Sequence, residues 1–403
     1  MRKISALVVA LVSVLGVAGV AWATAPGVSK DEIKLGVTYV DFEPIKDIVD
    51  ISHGDYVKTF NAVIDDLNKK GGVDGRKLVP VYEKVNPLGT APAQEVCLKL
   101  TEDDKVFAVV GFFILDAPLC YVAQHDTPIL GGTMNPTYLK QATAPWMTLD
   151  SGPEVTPRAI DALAAGGAFK GKVGVVAVAQ EEKNLLDAVV VPSLKRNGVK
   201  YTDAIIDVPL TDTVAAQQQA GTIGEKFKSE GIKTLLLVGS TPTVVSNALK
   251  NTDYRPKLVG VPFSTFQGAA LNKATDPALW KGSVTSDIAA DFKDPSLQKC
   301  YGMVEKATGD TIVERPPPGT PDYQASARIA CQYISLFSQL AGAAGKDLTV
   351  AGFGKAAQKL GSVTIPGLGT IKYDPKTHTW AQPLWTYKYD ATTKQLVQDK
   401  KIG

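Results

Sequence analysis

The residues best suited to chemistry lie in two short stretches that share a design. Thr133-Met134-Asn135-Pro136 and Gly239-Ser240-Thr241-Pro242 each place hydroxyl or amide side chains just before a proline. Asn, Ser and Thr cap helices and proline is pre-set for the first helical position, so each stretch predicts a helix start with exposed backbone N–H groups. A hydroxyl beside such a terminus suits an anion, for example a carboxylate. Thr133 and Asn135 could equally do no more than satisfy their own helix. Aromatic residues gather at the ends of neighbouring predicted strands, at Phe42, Phe112, Phe113, Phe263 and Phe266. A mostly apolar pocket with a few placed polar groups is the common form of a small-molecule site. These residues predict a small ligand with an anionic or carbonyl end and an apolar body.

Catalysis finds no comparable constellation. The chain contains no Gly-x-Ser-x-Gly elbow, Walker A sequence, His-Glu-x-x-His or Cys-x-x-Cys. Gly352-Phe353-Gly354-Lys355 is too short for a phosphate loop and falls in a helical stretch, and Gly367-Leu368-Gly369 reads as a turn. The expectation is a binding protein rather than an enzyme, with no metal and no cofactor.

The elements that must position these residues recur twice. Ile33 to Val40 is a strand and Gly54 to Lys70 a helix, with Phe60, Val63, Ile64 and Leu67 on one face. Lys77 to Val85 is the next strand; Ala93, Val96, Cys97 and Leu100 mark another helical face; Val106 to Gly111 is a continuous apolar strand. Apolarity on both faces suits a parallel sheet covered by helices, where ligands sit beyond the carboxyl ends of the strands. The order returns with a strand at 172–179, a helix at 185–196, a strand at 204–208, a helical face at Ala216, Ala220, Ile223 and Phe227, and a strand at 234–239. Gly111 and Gly239 close equivalent strands, and Gly72 and Gly198 equivalent helices. Two landmarks in one register predict duplicated α/β lobes rather than a solenoid. Passages between lobes are expected at Leu149 to Pro153, at Gly282 to Asp287 and after Gly367, with Thr370 to Tyr373 pairing with the strand around Trp385 to Tyr389 across an Asp374-Pro375 turn. The run Arg315 to Gly319 reads as a stiff loop before a long helix.

Length and composition agree with two lobes: 403 residues, 45% hydrophobic and 21% charged. Arg2-Lys3, the apolar stretch Ile4 to Val20 and Ala21-Trp22-Ala23 form the zones of a secretory signal peptide cleaved near Ala23. A retained membrane anchor is the competing reading. Removing residues 1–23 takes the net charge from +2 to zero, which gives no sign of a nucleic-acid partner. In an exported chain the even cysteine count, Cys97, Cys120, Cys300 and Cys331, suggests disulfides with three possible connectivities. Sequential pairing is preferred because each bridge would join neighbouring helices; buried free thiols are the alternative.

Several of these passages resemble one family. IKLGVTYV, AVIDDLNKKGGVDGRKLVPVYE, VFAVVG, TPILGGTMNPTYL and GLGTIKYDPKTHTWAQPLWTYKY are similar to the type I periplasmic solute-binding proteins of ABC importers, in the leucine/isoleucine/valine-binding branch. The resemblance spans the mature chain and implies two doubly wound parallel-sheet lobes joined by a three-strand hinge, with 24–150 and 288–362 in lobe one and 151–287 and 363–403 in lobe two. It implies hinge residues at Asp150, Ser151 and Asp287, and supports a Cys97–Cys120 bridge by a similar spacing in the family. Ligand carboxylates there are held by loops after the third and fourth strands of lobe one. By position those loops are Phe112 to Asp116, contributing Phe112 and Phe113, and Gly131 to Met134, contributing Gly132, Thr133 and Met134. Ser240, Thr241, Phe263 and Ser264 would face them from lobe two, with Phe42 at the rim.

The family's ligand-contacting aromatic near Gly239 is replaced here by small hydroxyl residues. Its acid after the strand 257–261 is also missing: the text reads Val261-Pro262-Phe263-Ser264. An ammonium buried without a counter-charge is expensive, which argues against an amino-acid guest. Glu181 or Glu182 could substitute, although surface solvation is the simpler expectation for both. The partners implied are a small ligand and a membrane-embedded ABC permease, for a monomer in the periplasm or outside the cell. A ligand-sensing module of a signalling system is the alternative function.

Overall fold

The computed structural model describes residues 25–46, 52–134, 136–149, 155–272, 274–314, 316 and 320–402. The signal-peptide reading, Asn135, Asp150 and Ser151 lie outside them. In the first lobe β1 (Glu32–Val40), β2 (Lys77–Val85), β3 (Ala108–Gly111), β4 (Ile129–Gly131) and β5 (Trp146–Met147) form a parallel sheet in the order β2-β1-β3-β4-β5. In the second, β6 (Val173–Val178), β7 (Tyr201–Ile206), β8 (Thr234–Val238), β9 (Lys257–Val261) and β10 (Val284–Ile288) repeat that order as β7-β6-β8-β9-β10. This doubly wound order places ligands at the carboxyl ends of the central strands. Every residue of β3, β6 and β8 is buried, which is why their sequences are continuously apolar rather than alternating.

The helices form where the sequence offers a cap and one apolar stripe. Asp55 accepts from the amide of Lys58 at 3.0 Å and starts helix Tyr56–Lys69, which buries Phe60, Val63 and Ile64 against the first sheet. Asp322 caps the 22-residue helix Tyr323–Ala344 through the amide of Ala325. Cys97 pairs with Cys120 and Cys300 with Cys331, so the sequential connectivity is the one present and each bridge ties neighbouring helical segments. Both lie in the first lobe.

The C-terminal region departs from expectation. β11 (Ser362–Ile365), β12 (Gly369–Asp374) and β13 (Thr379–Trp380) make a separate antiparallel sheet. Its Val363, Ile365, Leu368, Ile371 and Trp380 pack into the first lobe's core, so the boundary expected at 363 falls instead after Trp380. β12 pairs with β11 and β13, not with the strand around Trp385. That strand, β14 (Leu384–Asp390), joins the second lobe between β10 and β15 (Gln395–Ile402), an edge strand absent from the sequence reading. Lysines at 400 and 401 suit β15 to an edge. β7 also begins three residues earlier than expected, at Tyr201.

The passages between lobes are stitched to one another. Gln382 donates its side-chain amide to the carbonyl of Leu149, and its own carbonyl accepts from Arg158 at 2.7 Å. The amide of Ala289 donates to Pro383 O at 3.3 Å. All the connecting segments therefore share one hydrogen-bonded seam.

Candidate functional site

A cavity of about 690 Å³ opens along this seam between the lobes. Lobe one contributes Thr133, Leu149 and the start of the long helix, with Asp322, Gln324, Ala325 and Arg328. The passages supply Phe292 and Gln382; lobe two supplies Phe263, Leu271, Asp287, Ile288, Tyr387 and Leu396. The volume is that of an ordinary small-molecule pocket.

Arg328 is the chemically decisive group on the first wall. It is half-buried and, among the described residues, makes no ion pair and no hydrogen bond. It is also the only charged residue in helix Tyr323–Ala344, in its second turn, and it shares this wall with the carboxylates of Asp322 and Glu314. A cation kept there without a partner is available to an anion entering the cavity. The hydroxyl of Thr133, exposed on the loop after β4, borders the same space. On the second wall Phe263 is half-buried and packs on Tyr387 with ring centres 4.4 Å apart. Asp287 also borders the cavity; burial pushes its carboxyl up to about 6, against a hydrogen bond from the amide of Ile288 at 2.8 Å that favours the charged form.

Of the residues named from sequence, Thr133, Phe263 and Asp287 thus meet at one cavity, Asp287 as part of its wall. Phe42 borders a second, smaller cavity of about 440 Å³, with Tyr39, His53 and Tyr56. There its ring meets the edge of His53 at 4.7 Å, and His53 Nδ1 lies 2.6 Å from the Tyr56 hydroxyl. Burial holds His53 below its ordinary pKa.

Most of the other named residues are buried within the lobes. Phe112 and Phe113 belong to a core cluster of the first lobe, Phe113 edge-on to Tyr121 at 5.5 Å. Gly132 and Met134 are buried. Phe266, expected at the rim, is fully buried against Trp280 at 4.7 Å. Thr241 is fully buried as well, its hydroxyl donating to Val238 O at 2.9 Å, so it is not on the cleft wall. Ser264 is exposed on helix Phe263–Leu271 and borders neither cavity.

The largest correction concerns Glu182. Surface solvation is the expectation for it, yet it is 5% exposed. Its carboxylate accepts from Val178 N at 3.0 Å, from Ser240 Oγ at 2.7 Å and from Ser240 N. Ser240 is therefore held by the protein itself. A Cβ at Gly239, whose φ is 60°, would push that carboxylate aside.

A family described as periplasmic binding protein matches residues 32–394. The comparison with curated proteins gives no match. Among solved structures, an ABC transporter substrate-binding protein from Desulfitobacterium hafniense in complex with leucine is 14% identical, with a TM-score of 0.64 over 92% of this chain and 100% of its own. A solute-binding protein from Rhodopseudomonas palustris with 3,4-dihydroxybenzoic acid is 17% identical, with a TM-score of 0.60 over 92% and 97%. A leucine-, isoleucine-, valine-, threonine- and alanine-binding protein from Brucella ovis in its closed conformation is 11% identical, with a TM-score of 0.62 over 92% and 95%. At these identities the likeness is one of fold.

Proposed function

Because the chain belongs to the periplasmic binding protein family, we propose that it captures a small ligand between its lobes and delivers it to an ABC-type importer in the membrane. The observation that carries this reading is the 690 Å³ cavity with an unpaired cation, Arg328, on one wall and the apolar Phe263, Leu271 and Leu396 on the other. A ligand with an anionic end would meet Arg328 and the Thr133 hydroxyl, and would lay an apolar body against the second lobe. Related folds hold leucine in one case and a hydroxylated benzoate in another, both acids with apolar bodies. The role is binding and handover, without a chemical step, in the periplasm or outside the cell after loss of residues 1–23.

Closure about the stitched passages would add contacts from the second lobe to a ligand first held by the other, and the closed form would be what the permease recognises. Denaturing the purified protein and identifying the released small molecules by mass spectrometry tests the ligand class. The expected outcome is a small organic acid whose re-addition compacts the protein in small-angle scattering. A sugar or a metal ion as the bound species, or unchanged scattering at saturation, would sink the proposal.

A further inference from the structure

The amino ends of the second lobe's strands, away from the cavity, carry a row of lysines in register. β6 pairs with β7 through Val173 opposite Tyr201, and with β8 through Val173 opposite Thr234. Lys172, Lys200 and Lys233, each one residue before its strand, therefore stand side by side across three adjacent strands. The backbone ladder reaches them: Val173 N donates to Lys200 O at 2.9 Å and Lys257 N to Lys233 O at 2.8 Å. Neighbouring strands lie about 4.8 Å apart, inside the screening length of about 8 Å at physiological salt, so these charges repel one another and their fields add. All three side chains are exposed, as is that of Lys170. Lys172 has Glu230 beside it at 2.8 Å; among the described residues Lys170, Lys200 and Lys233 make no ion pair. Lys257 carries the row onto a fourth strand, β9. It is half-buried, and its ammonium donates to Ala168 O at 3.2 Å. Burial, with Lys170 and Lys388 nearby, holds it below its ordinary pKa. A helix ends a few residues before each of the first three lysines, which favours a cation at each place but does not account for a row of them.

We propose that this basic edge adsorbs the protein to an anionic lipid surface, with headgroup phosphates set against Lys170, Lys172, Lys200 and Lys233. The choice of a lipid surface follows from what lies between the lysines. Gly171, Gly198 and Gly231 are exposed, Val199 is half-buried and Ile232 buried, and none of the exposed large apolar side chains of the described residues lies here. A protein partner would find no apolar core for an interface, whereas a layer of lipid phosphates needs only charge. Adsorption is therefore superficial and reversible by salt. The cavity lies beyond the opposite, carboxyl ends of the same sheet, so it stays open to ligand while the protein is adsorbed.

Co-sedimentation of the full mature protein with vesicles tests this. Vesicles of phosphatidylglycerol and phosphatidylcholine in equal parts should retain the protein at low salt and release it as salt rises, while phosphatidylcholine alone should not retain it. The triple variant Lys170→Gln, Lys200→Gln, Lys233→Gln should be retained about a hundredfold more weakly, at about fivefold per lysine. A control, Lys69→Gln, Lys77→Gln, Lys359→Gln, removes the same charge from exposed positions of the first lobe and should stay within about twofold of the parent. Thermal unfolding checks that both variants fold. Equal losses in the two variants would reduce the row to its share of overall charge, and no retention by the mixed vesicles would remove it; either result overturns the proposal. So would a poly-glutamate peptide that binds the parent more tightly than the vesicles do, since that would assign the row to an acidic protein.

Discussion

The two lobes solve one backbone problem in different ways. Gly111 ends β3 and Gly239 follows β8 at the equivalent place, and the amide after each needs an acceptor. In the first lobe β1 runs on beside β3, and Phe112 N donates to the main-chain carbonyl of Thr38 at 3.0 Å. In the second lobe β6 stops at Val178 and turns into a helix, so no carbonyl continues alongside. Ser240 N donates instead to the Glu182 carboxylate, which also takes Ser240 Oγ and Val178 N. Both glycines have positive φ, 121° and 60°, and a Cβ at either would strike the acceptor, backbone in one case and side chain in the other. A polar residue at a strand end is thus not automatically a ligand residue. What separates Thr133 from Ser240 is where the protein's own hydrogen bonds already go.

Removing the side-chain solution should break the comparison most sharply. Glu182→Ala would remove the carboxylate that accepts from Val178 N, Ser240 N and Ser240 Oγ, and should cost about 2–4 kcal/mol of stability. Thr38→Val in the first lobe removes only a hydroxyl bond to Val110 O at 3.3 Å and leaves the carbonyl in place, so its cost should stay near 1 kcal/mol. Urea unfolding of both variants checks this; equal losses would mean that the carboxylate does not hold the loop.

The first wall of the cavity carries Asp322, Glu314 and Arg328 and the second the single acid Asp287, whose effect pH isolates. Asp287 has a folded pKa of about 6 against an ordinary 3.8. The folded state therefore binds its proton more tightly than the unfolded chain, and this residue lowers stability as pH rises through that window and holds it lower above about 6. Asp287→Asn should be more stable than the parent at pH 7 by about 1–3 kcal/mol, with the gain shrinking as pH falls towards 4. Thermal unfolding across that range reads it directly. A gain that is constant with pH would show that Asp287 keeps an ordinary pKa.

The repeat was legible because its markers are backbone requirements. Gly72 and Gly198 both take positive φ where helices end, and only glycine does this cheaply, so they keep register even as side chains diverge. The bridges were legible for a similar reason, since neighbouring helices bring each pair of cysteines together. Arg328 was missed, although a lone charge in a 22-residue helix was a usable signal. Glu182 was not readable: Glu181-Glu182-Lys183 looks like any solvated helix start, and only the early end of β6 turns it inward. Asp287 was read by position as a hinge residue; its chemistry depends on β14, which pairs with β10 from about a hundred residues further along. The sheet β11-β12-β13 was assigned to the wrong lobe because its strands are short and its turns resemble those of a passage.

The smallest expected effect is the most discriminating, because it crosses the two loops. Thr133 is exposed on the cavity wall, so Thr133→Val should leave stability within about 0.5 kcal/mol while weakening an acidic ligand about three- to tenfold through the lost hydroxyl. Thr241 is its counterpart in sequence but is buried, with its hydroxyl on Val238 O. Thr241→Val should do the reverse, costing about 1 kcal/mol of stability and leaving affinity unchanged. Measuring both variants by thermal unfolding and by calorimetry with one carboxylate ligand fills a two-by-two comparison. If Thr241→Val weakened binding as much as Thr133→Val at matched stability, the second loop would have to reorganise on closure. The distinction drawn between a hydroxyl left for a ligand and one already spent inside the lobe would then fail.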